Sequence, residues 1–426
     1  MGESPVTITF RRGRSFMSSL KYWVWLSSVS GVGPVTVTKL LKCFGTPDKV
    51  YNARADELRE VPGLNTAEIS LLLRKDLEAA NKILARCSEL GCHTITPQDS
   101  NYPDRLKNIY APPTVLYVRG RLPIVDDEAA IAIVGTRNCT PYGLSTAEDL
   151  GYTLAKHGML VVTGLAKGID TAAARGALRA GGQVIGVIGS GTNVIYPPEN
   201  RDLFNDIAAS GAVVSEYPPD TPAIKSNFPA RNRIISGLSL GVAVLESPAK
   251  SGALITAARA LEQNRDVFAM PGNVDAWTCA GSNALLREGA IPILSAKDII
   301  DEYIEIFPDK ITQHEKTDSQ EQIEGYGFAN LIANTEKVKG NSNKIVVDNK
   351  PAVEYIDLVK VLENLVGDEL IIAQAIGLDN IHVDEIIVKS GLSASQTLTT
   401  LTMLEIKGLA ENTGGSYFKL TQKEFA

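Results

Sequence analysis

Between about residues 95 and 305 the chain alternates two patterns. Short runs of consecutive apolar residues, "IAIVG", "MLVVTG", "QVIGVIG", "GAVVSE", "GVAVLES", "RDVFAMPG" and "AIPILS", are separated by segments with apolar positions every three to four residues. Runs of this length that are apolar on both faces read as strands buried on both sides, and the intervening segments as helices. The expected fold is α/β, with a Rossmann-like, doubly wound, mostly parallel sheet. Ligands on such sheets bind outside the carboxyl ends of the strands. The loops "GTRNCTPYG", "TGLAKGID", "GSGTNVIYP" and "ESPAKSGALIT" follow the strands at those ends.

The flanks read differently. Residues 18–90 give short helices joined by glycine turns, and "VSGVGPVTVTKLL" and "VPGLNTAEISLLL" resemble a helix-hairpin-helix pair. Backbone N–H groups of such a turn can hold a phosphate. The second copy has Asn65 where glycine is expected, so a packing role without DNA contact is the stronger expectation. Residues 306–352 are polar and weakly periodic, as in a linker. Residues 353–426 read as helix, tight turn, helix and a hairpin through Gly414 and Gly415, a winged-helix pattern. The expected organisation is a disordered arm (1–17), a small helical helix-hairpin-helix or SAM-like domain (18–92), the Rossmann-like domain (93–305), the linker (306–352) and the winged helix (353–426).

Composition narrows the function. Five scattered cysteines without a CxxC pair, and only four histidines, give no zinc pattern and fit a reduced, cytoplasmic setting. No apolar run is long enough to span a bilayer. The net charge of −7 excludes a chain that is basic all over, but not a local basic groove. In the winged helix, the recognition segment 393–408 carries a single cation, Lys407, with Glu405 beside it and Gln396 as its one base-reading residue. Leu398, Leu401, Met403 and Leu404 are expected to serve mainly its core. This module is therefore expected to act through protein contacts, not duplex DNA.

The chemistry-bearing loops lie in the α/β region. In 131–143, Gly135 gives a tight strand exit, Arg137 offers a bidentate phosphate donor, and Tyr142 and Gly143 open a helix, whose N-terminus favours anions. In 163–178, Asp170 reads as a helix cap and Lys167 adds a cation. The segment 189–200 fails as a dinucleotide fingerprint, since Val194 replaces the third glycine and Pro197 and Pro198 follow. Neither a nucleotide cofactor nor a metal is expected. Lys250 precedes Ser251 and Gly252 at another helix start. In "SNFPARNRIISGLS" (226–239), Phe228, Arg231, Asn232 and Arg233 follow Lys225. Helical residues two apart point roughly 200° away from each other, so both arginines cannot face one ligand unless the first is still in the turn. Pairing with Glu216 or Glu246 is the competing use. The cations at one sheet edge would track phosphates, with Phe228 or Tyr142 stacking on a base.

"GTRNCTPYG", "TGLAKGID", "GSGTNVIYPPEN", "SEYPPDTP", "FPARNRIISGLS", "KSGALITAARALEQNRDVFAMPGN" and "GSNALLREGA" occur in the order and spacing of the DNA processing protein A family, also called DprA or Smf. The resemblance covers residues 95–305 densely, and the head and tail in order and type. It departs at Thr136, Thr163 and Lys167, where Ser, Ser and Arg are usual. It implies a cytoplasmic, non-enzymatic protein that binds single-stranded DNA, protects incoming strands in natural transformation and helps load the RecA recombinase. It also implies self-association through the Rossmann-like domain, as a homodimer. The family's strand-binding arginine falls on Arg137, and its FPxRNR signature on Phe228, Arg231, Asn232 and Arg233. The alternative, a Rossmann-like nucleotide hydrolase resembling phosphoribohydrolases, needs a PGGxGTxxE loop. Only "PGNV" (271–274) approaches it.

Overall fold

A computed structural model describes residues 14–312 and, further on, 365, 367–376, 381–407, 409–414 and 416–420. The chain divides into two compact units, Met1–Thr317 and Asp318–Ala426. Residues 1–13 of the expected arm and 313–352 of the expected linker lie outside the described residues, as do 353–364 and Gly415.

In the first unit all seven apolar runs form strands. Labelled in chain order, the sheet comprises β1 (His93–Ile95), β2 (Leu116–Gly120), β3 (Ala130–Val134), β4 (Leu160–Thr163), β5 (Val184–Ile188), β6 (Ala212–Ser215), β7 (Gly241–Val244), β8 (Asp266–Ala269) and β9 (Ile291–Pro292). Its spatial order is β1-β2-β6-β5-β4-β3-β7-β8-β9. From β6 to β9 all pairings are parallel; β2 runs antiparallel to β6, and β1 to β2. β1 and β2, at this end of the sheet, are additions to the expected set.

Alternation along β3 shows how both faces are filled. Ile131 and Ile133 join the core under helices Pro141–Lys156, Ile169–Arg179 and Arg201–Ser210, with Leu150, Leu154, Ala173 and Phe204. Ala130, Ala132 and Val134 join the opposite core under helices Asn227–Leu238 and Gly252–Glu262, with Ile234, Ile235, Leu238 and Ala257. Successive strand residues point to opposite faces, so each run must be apolar throughout.

The helical head forms one unit with this sheet. Its first helix, Arg14–Ser28, reaches back into residues 14–17 of the expected arm. Val24, Leu26, Val37, Leu40, Leu58 and Leu72 make its own core. Trp23, Cys87 and Cys92 close over Val115 and Tyr117 at the sheet edge. Asn65 caps helix Thr66–Leu72: its side chain accepts from Glu68 N (2.9 Å), while Glu68 accepts from Asn65 N (3.0 Å). Both N–H groups are spent inside the protein, which fits a packing role for this turn. Residues 306–312, placed in the linker by their polarity, are docked instead. Ile311 is buried, Thr312 N donates to His157 O (3.0 Å), and Lys310 pairs with Glu128 (2.6 Å).

The second unit has helices Asp368–Ile376, Val383–Ser390 and Ala394–Ile406, with strands β10 (Ile381–His382), β11 (Ala410–Gly414) and β12 (Tyr417–Leu420) in the order β10-β12-β11. Leu401 and Leu404 enter its core with Ile372, Ile386 and Phe418. Leu398 and Met403, expected in that core, are instead about half exposed, at 50% and 45%. Thr397 takes the neighbouring buried position.

Candidate nucleic-acid interface

Strand order reverses between β3 and β7, where the chain returns from β6 to the other side of β3. Loops leaving adjacent strands diverge at such a point and open a crevice. A cleft of about 630 Å³ lies there. Its lining includes Gly135, Arg137, Lys225, Phe228, Arg231, Asn232, Lys250, Ser251 and Gly252, nine of the residues singled out from sequence.

Local capping holds the loops around it. Thr140 caps helix Pro141–Lys156, its hydroxyl accepting from Gly143 N (3.0 Å). The buried Glu246, just past β7, accepts from Thr140 N (2.8 Å) and from the Thr140 hydroxyl. Glu246 thus fastens the Arg137 loop, and among the described residues no arginine pairs with it. Ser251 caps helix Gly252–Glu262 (Ala253 N to Ser251 Oγ, 3.2 Å), and Asn232 Nδ2 donates to Gly252 O (3.1 Å). That helix N-terminus therefore opens onto the cleft, favourably placed for an anion.

Arg231 and Asp170 form the cleft floor. Arg231 is 5% exposed, and its Nη1 donates to Gly164 O (2.8 Å) and to Val187 O, at the ends of β4 and β5. Its Nε is buried without a partner. Asp170 was expected to cap its own helix. Instead it accepts from Gly135 N (3.3 Å) and Gly164 N (3.1 Å), clamping two loops together. Burial pushes the Arg231 guanidinium down to about 10, opposed by Asp170, so it stays charged at neutral pH. Burial pushes the Asp170 carboxyl up, opposed by Arg231 and by the N–H groups it accepts. Gly164 is needed between them: a Cβ there would stand 2.5 Å from Arg231 Nη1 and 2.8 Å from Asp170 Oδ2.

Four cations, Arg137, Lys225, Arg231 and Lys250, line the cleft against one carboxylate, Asp170. Arg137, Lys225 and Lys250 are exposed, and no described carboxylate pairs with them. The local field is therefore positive on a chain of net charge −7. Two other candidates lie elsewhere. Arg233, expected among the DNA ligands, does not line the cleft. It is buried and ion-paired to Glu216 (2.6 Å), and it also donates to Ala111 O (2.8 Å) and Ala230 O (2.9 Å). Lys167 lines a small adjoining pocket and is paired with Glu199 (2.5 Å). Tyr142, considered for base stacking, lines a separate groove with Met270, Pro271 and Leu294. The aromatic that joins Phe228 at the cleft is Tyr196, from the loop read only as a failed fingerprint. Its one sequence signal was its place after a strand's carboxyl end.

Among the described residues no helix is long and apolar enough to cross a membrane, and no cluster of three or more His, Cys, Asp or Glu could hold a metal ion. The sequence profile of the DNA recombination-mediator protein A family matches residues 93–304; that of the DprA winged-helix domain matches 361–416, and a SAM-like helix-hairpin-helix tandem matches 26–69. A putative DNA processing protein, DprA, of Mycobacterium tuberculosis is 30% identical over 408 residues, covering 93% of each chain. The protein Smf of Synechocystis is 41% identical over 288 residues, 66% of this chain and 72% of the relative. The X-ray structure of DNA processing protein A (DprA) from Streptococcus pneumoniae superposes with a TM-score of 0.59 at 33% identity, covering 69% of this chain and 99% of that one. With its helical head, its cleft at the strand reversal and its winged helix in the family's order, the chain belongs to the DNA recombination-mediator protein A family, also called DprA or Smf.

Proposed function

We propose that this chain binds single-stranded DNA in the cleft between β3 and β7 and acts as a recombination mediator, protecting strands taken up in natural transformation and passing them to a RecA-type recombinase. The observation that carries the reading is the cleft's excess of unpaired cations beside two aromatic rings. Phosphates are drawn by the cations, while aromatic faces offer stacking only to bases that are not already paired in a duplex. Family membership supports the mediator role, and with it action in the cytoplasm as a homodimer joined through the α/β domain. In this reading Arg137, Lys225 and Lys250 meet phosphates, with the N-terminus of helix Gly252–Glu262 between them. Asn232 positions that helix, and Lys167 flanks the path.

The test is a gel-shift titration of the full chain with single-stranded and duplex DNA over a salt series. Single strands are expected to bind more tightly and without strong sequence preference. Arg137→Ala is expected to weaken binding and to flatten the log–log salt slope by about 0.7, the contribution of one neutralised phosphate on a single strand. Unchanged affinity and slope in a folded variant would make Arg137 a structural residue.

The winged helix is expected to add nothing to duplex binding. Gln396, the one residue of its recognition helix suited to reading bases, is tied into a capping box with Ser393 (Gln396 N to Ser393 Oγ, 3.4 Å; Ser393 N to Gln396 Oε1, 3.2 Å). Lys407, at the far end, is held by Glu369 (2.7 Å). The full chain and a chain ending at residue 317 should therefore bind duplex DNA alike at low salt. Micromolar, salt-sensitive duplex binding seen only with the full chain would overturn this.

A further inference from the structure

Two aromatic rings face the cleft, and they are not equivalent. Phe228 is half-buried, and its ring is already engaged: Arg137 Cζ lies over it at 5.6 Å from the centroid and Arg231 Cζ at 5.9 Å. A base settling on Phe228 would compete with these guanidinium groups for the ring. Tyr196 packs against Phe228 with centroids 5.6 Å apart and the planes tilted by 48°, yet it is 45% exposed. It also stands where the main cleft meets the small pocket beside it, in a wall that both share with Arg137, Phe228 and Arg231. We infer that Tyr196 is the base-stacking platform of this cleft and that Phe228 acts behind it, holding the two guanidinium groups in place.

The loop carrying Tyr196 is braced on both sides. Upstream, Ser190 Oγ donates to Val194 O (2.8 Å), and Gly191 N donates to Thr221 O (2.9 Å). Asn193 exchanges two hydrogen bonds with Asp220 (2.6 and 2.8 Å), and Arg86 from the helical head holds the same carboxylate (2.8 Å). Downstream, Asn200 Nδ2 donates to Leu165 O (3.1 Å) and Thr171 Oγ1 (2.8 Å). A ring on a loop fixed at both ends loses little freedom when a base lands on it, which is what a stacking platform requires. The occupant is an unpaired base, so this assignment rests on the single-strand reading above.

The experiment uses the full chain and two labelled strands of equal length, oligo-dT and a strand of the same backbone without bases, titrated by fluorescence anisotropy at one low salt concentration. Tyr196→Ala is expected to weaken oligo-dT binding roughly 5- to 150-fold, the factor equivalent to about 1–3 kcal/mol per stacked base. It should leave the baseless strand unaffected, and Tyr196→Phe should retain wild-type affinity for both. Phe228→Ala should weaken both strands together, because it acts through the guanidinium groups on the phosphates. Equal affinity of Tyr196→Ala and wild type for oligo-dT, or an equal loss on both strands, overturns the assignment to Tyr196 while leaving single-strand binding standing. Failure of the wild-type chain to bind oligo-dT at all overturns the single-strand reading, and this inference with it.

Discussion

Arg231→Ala is expected to cost about 3 kcal/mol of stability, the upper end of the range for leaving buried hydrogen-bonding groups unpaired. The side chain is 5% exposed and supplies the positive charge beside Asp170. Its removal also leaves Gly164 O and Val187 O without their donor. The chain's three tryptophans, Trp23, Trp25 and Trp277, all lie in the first unit, so their fluorescence reports its unfolding alone. The deficit should depend on pH with a definite sign. Burial holds the Asp170 carboxyl above its ordinary value. A group raised in this way contributes stability that is fully present below its unfolded pKa and is lost as pH rises through its folded pKa. Losing Arg231 raises that folded value further, so the deficit should be largest near neutrality and narrow toward acid. Asp170→Ala in the Arg231→Ala background should cost less than it does alone, since the two buried charges influence each other across the cleft floor. Arg233→Ala should lower stability through its lost bonds to Glu216 and Ala111 but leave the salt slope of binding unchanged, because Arg233 does not line the cleft. A pH-independent deficit below about 1 kcal/mol for Arg231→Ala would sink the account of the cleft floor, since leaving buried acceptors unpaired costs at least that much.

The two arginines also show where sequence reasoning stops. Their spacing of two residues says that they point in different directions on a helix. It does not say which one faces the cleft. That depends on Glu216 and Ala111 for Arg233, and on the ends of β4 and β5 for Arg231, all remote in sequence. The parallel strands were legible because burial on both faces leaves an uninterrupted apolar run, as in β3 to β7. β1 and β2 pair antiparallel at one edge: "HTI" carries no comparable run, and the buried run "VLYV" at β2 carries nothing that gives its direction or its partner β6. The loops at the carboxyl ends were legible as a group, which is why Arg137, Lys225, Phe228 and Lys250 meet in one cleft. Tyr196 was not, because its place beside Phe228 is set by the tertiary fold and no spacing in "GSGTNVIYP" signals it. Leu398 and Met403 fit a helical period and still face outward; periodicity alone does not say how wide the buried stripe is.

Gly176→Val is expected to cost about 3 kcal/mol, at the upper end of the usual range for overpacking. Helices Pro141–Lys156 and Ile169–Arg179 cross in close contact, with Gly151 on one and Gly176 on the other. A Cβ on Gly176 would stand 1.9 Å from Glu148 O and 2.9 Å from Tyr152 N; one on Gly151 would stand 2.2 Å from Ala173 O. These are backbone atoms, so no rotamer change relieves the clash and the two helices must separate. Valine is used because it adds little helix propensity to offset the strain, whereas alanine would return about 1 kcal/mol relative to glycine. Separation would also reach the cleft. The first helix begins at the Arg137 loop, and the second carries Asp170, which clamps Gly135 and Gly164. Any Gly176→Val protein that remains folded should therefore bind single strands more weakly, although residue 176 lines no part of the cleft. Gly252→Ala is the contrast: its Cβ would meet no atom within 4 Å. Urea unfolding followed by tryptophan fluorescence should show a large midpoint shift for Gly176→Val and almost none for Gly252→Ala. Equal midpoints for the two variants would mean that the helices accommodate a side chain at their crossing, and that the glycines do not set the geometry of the cleft.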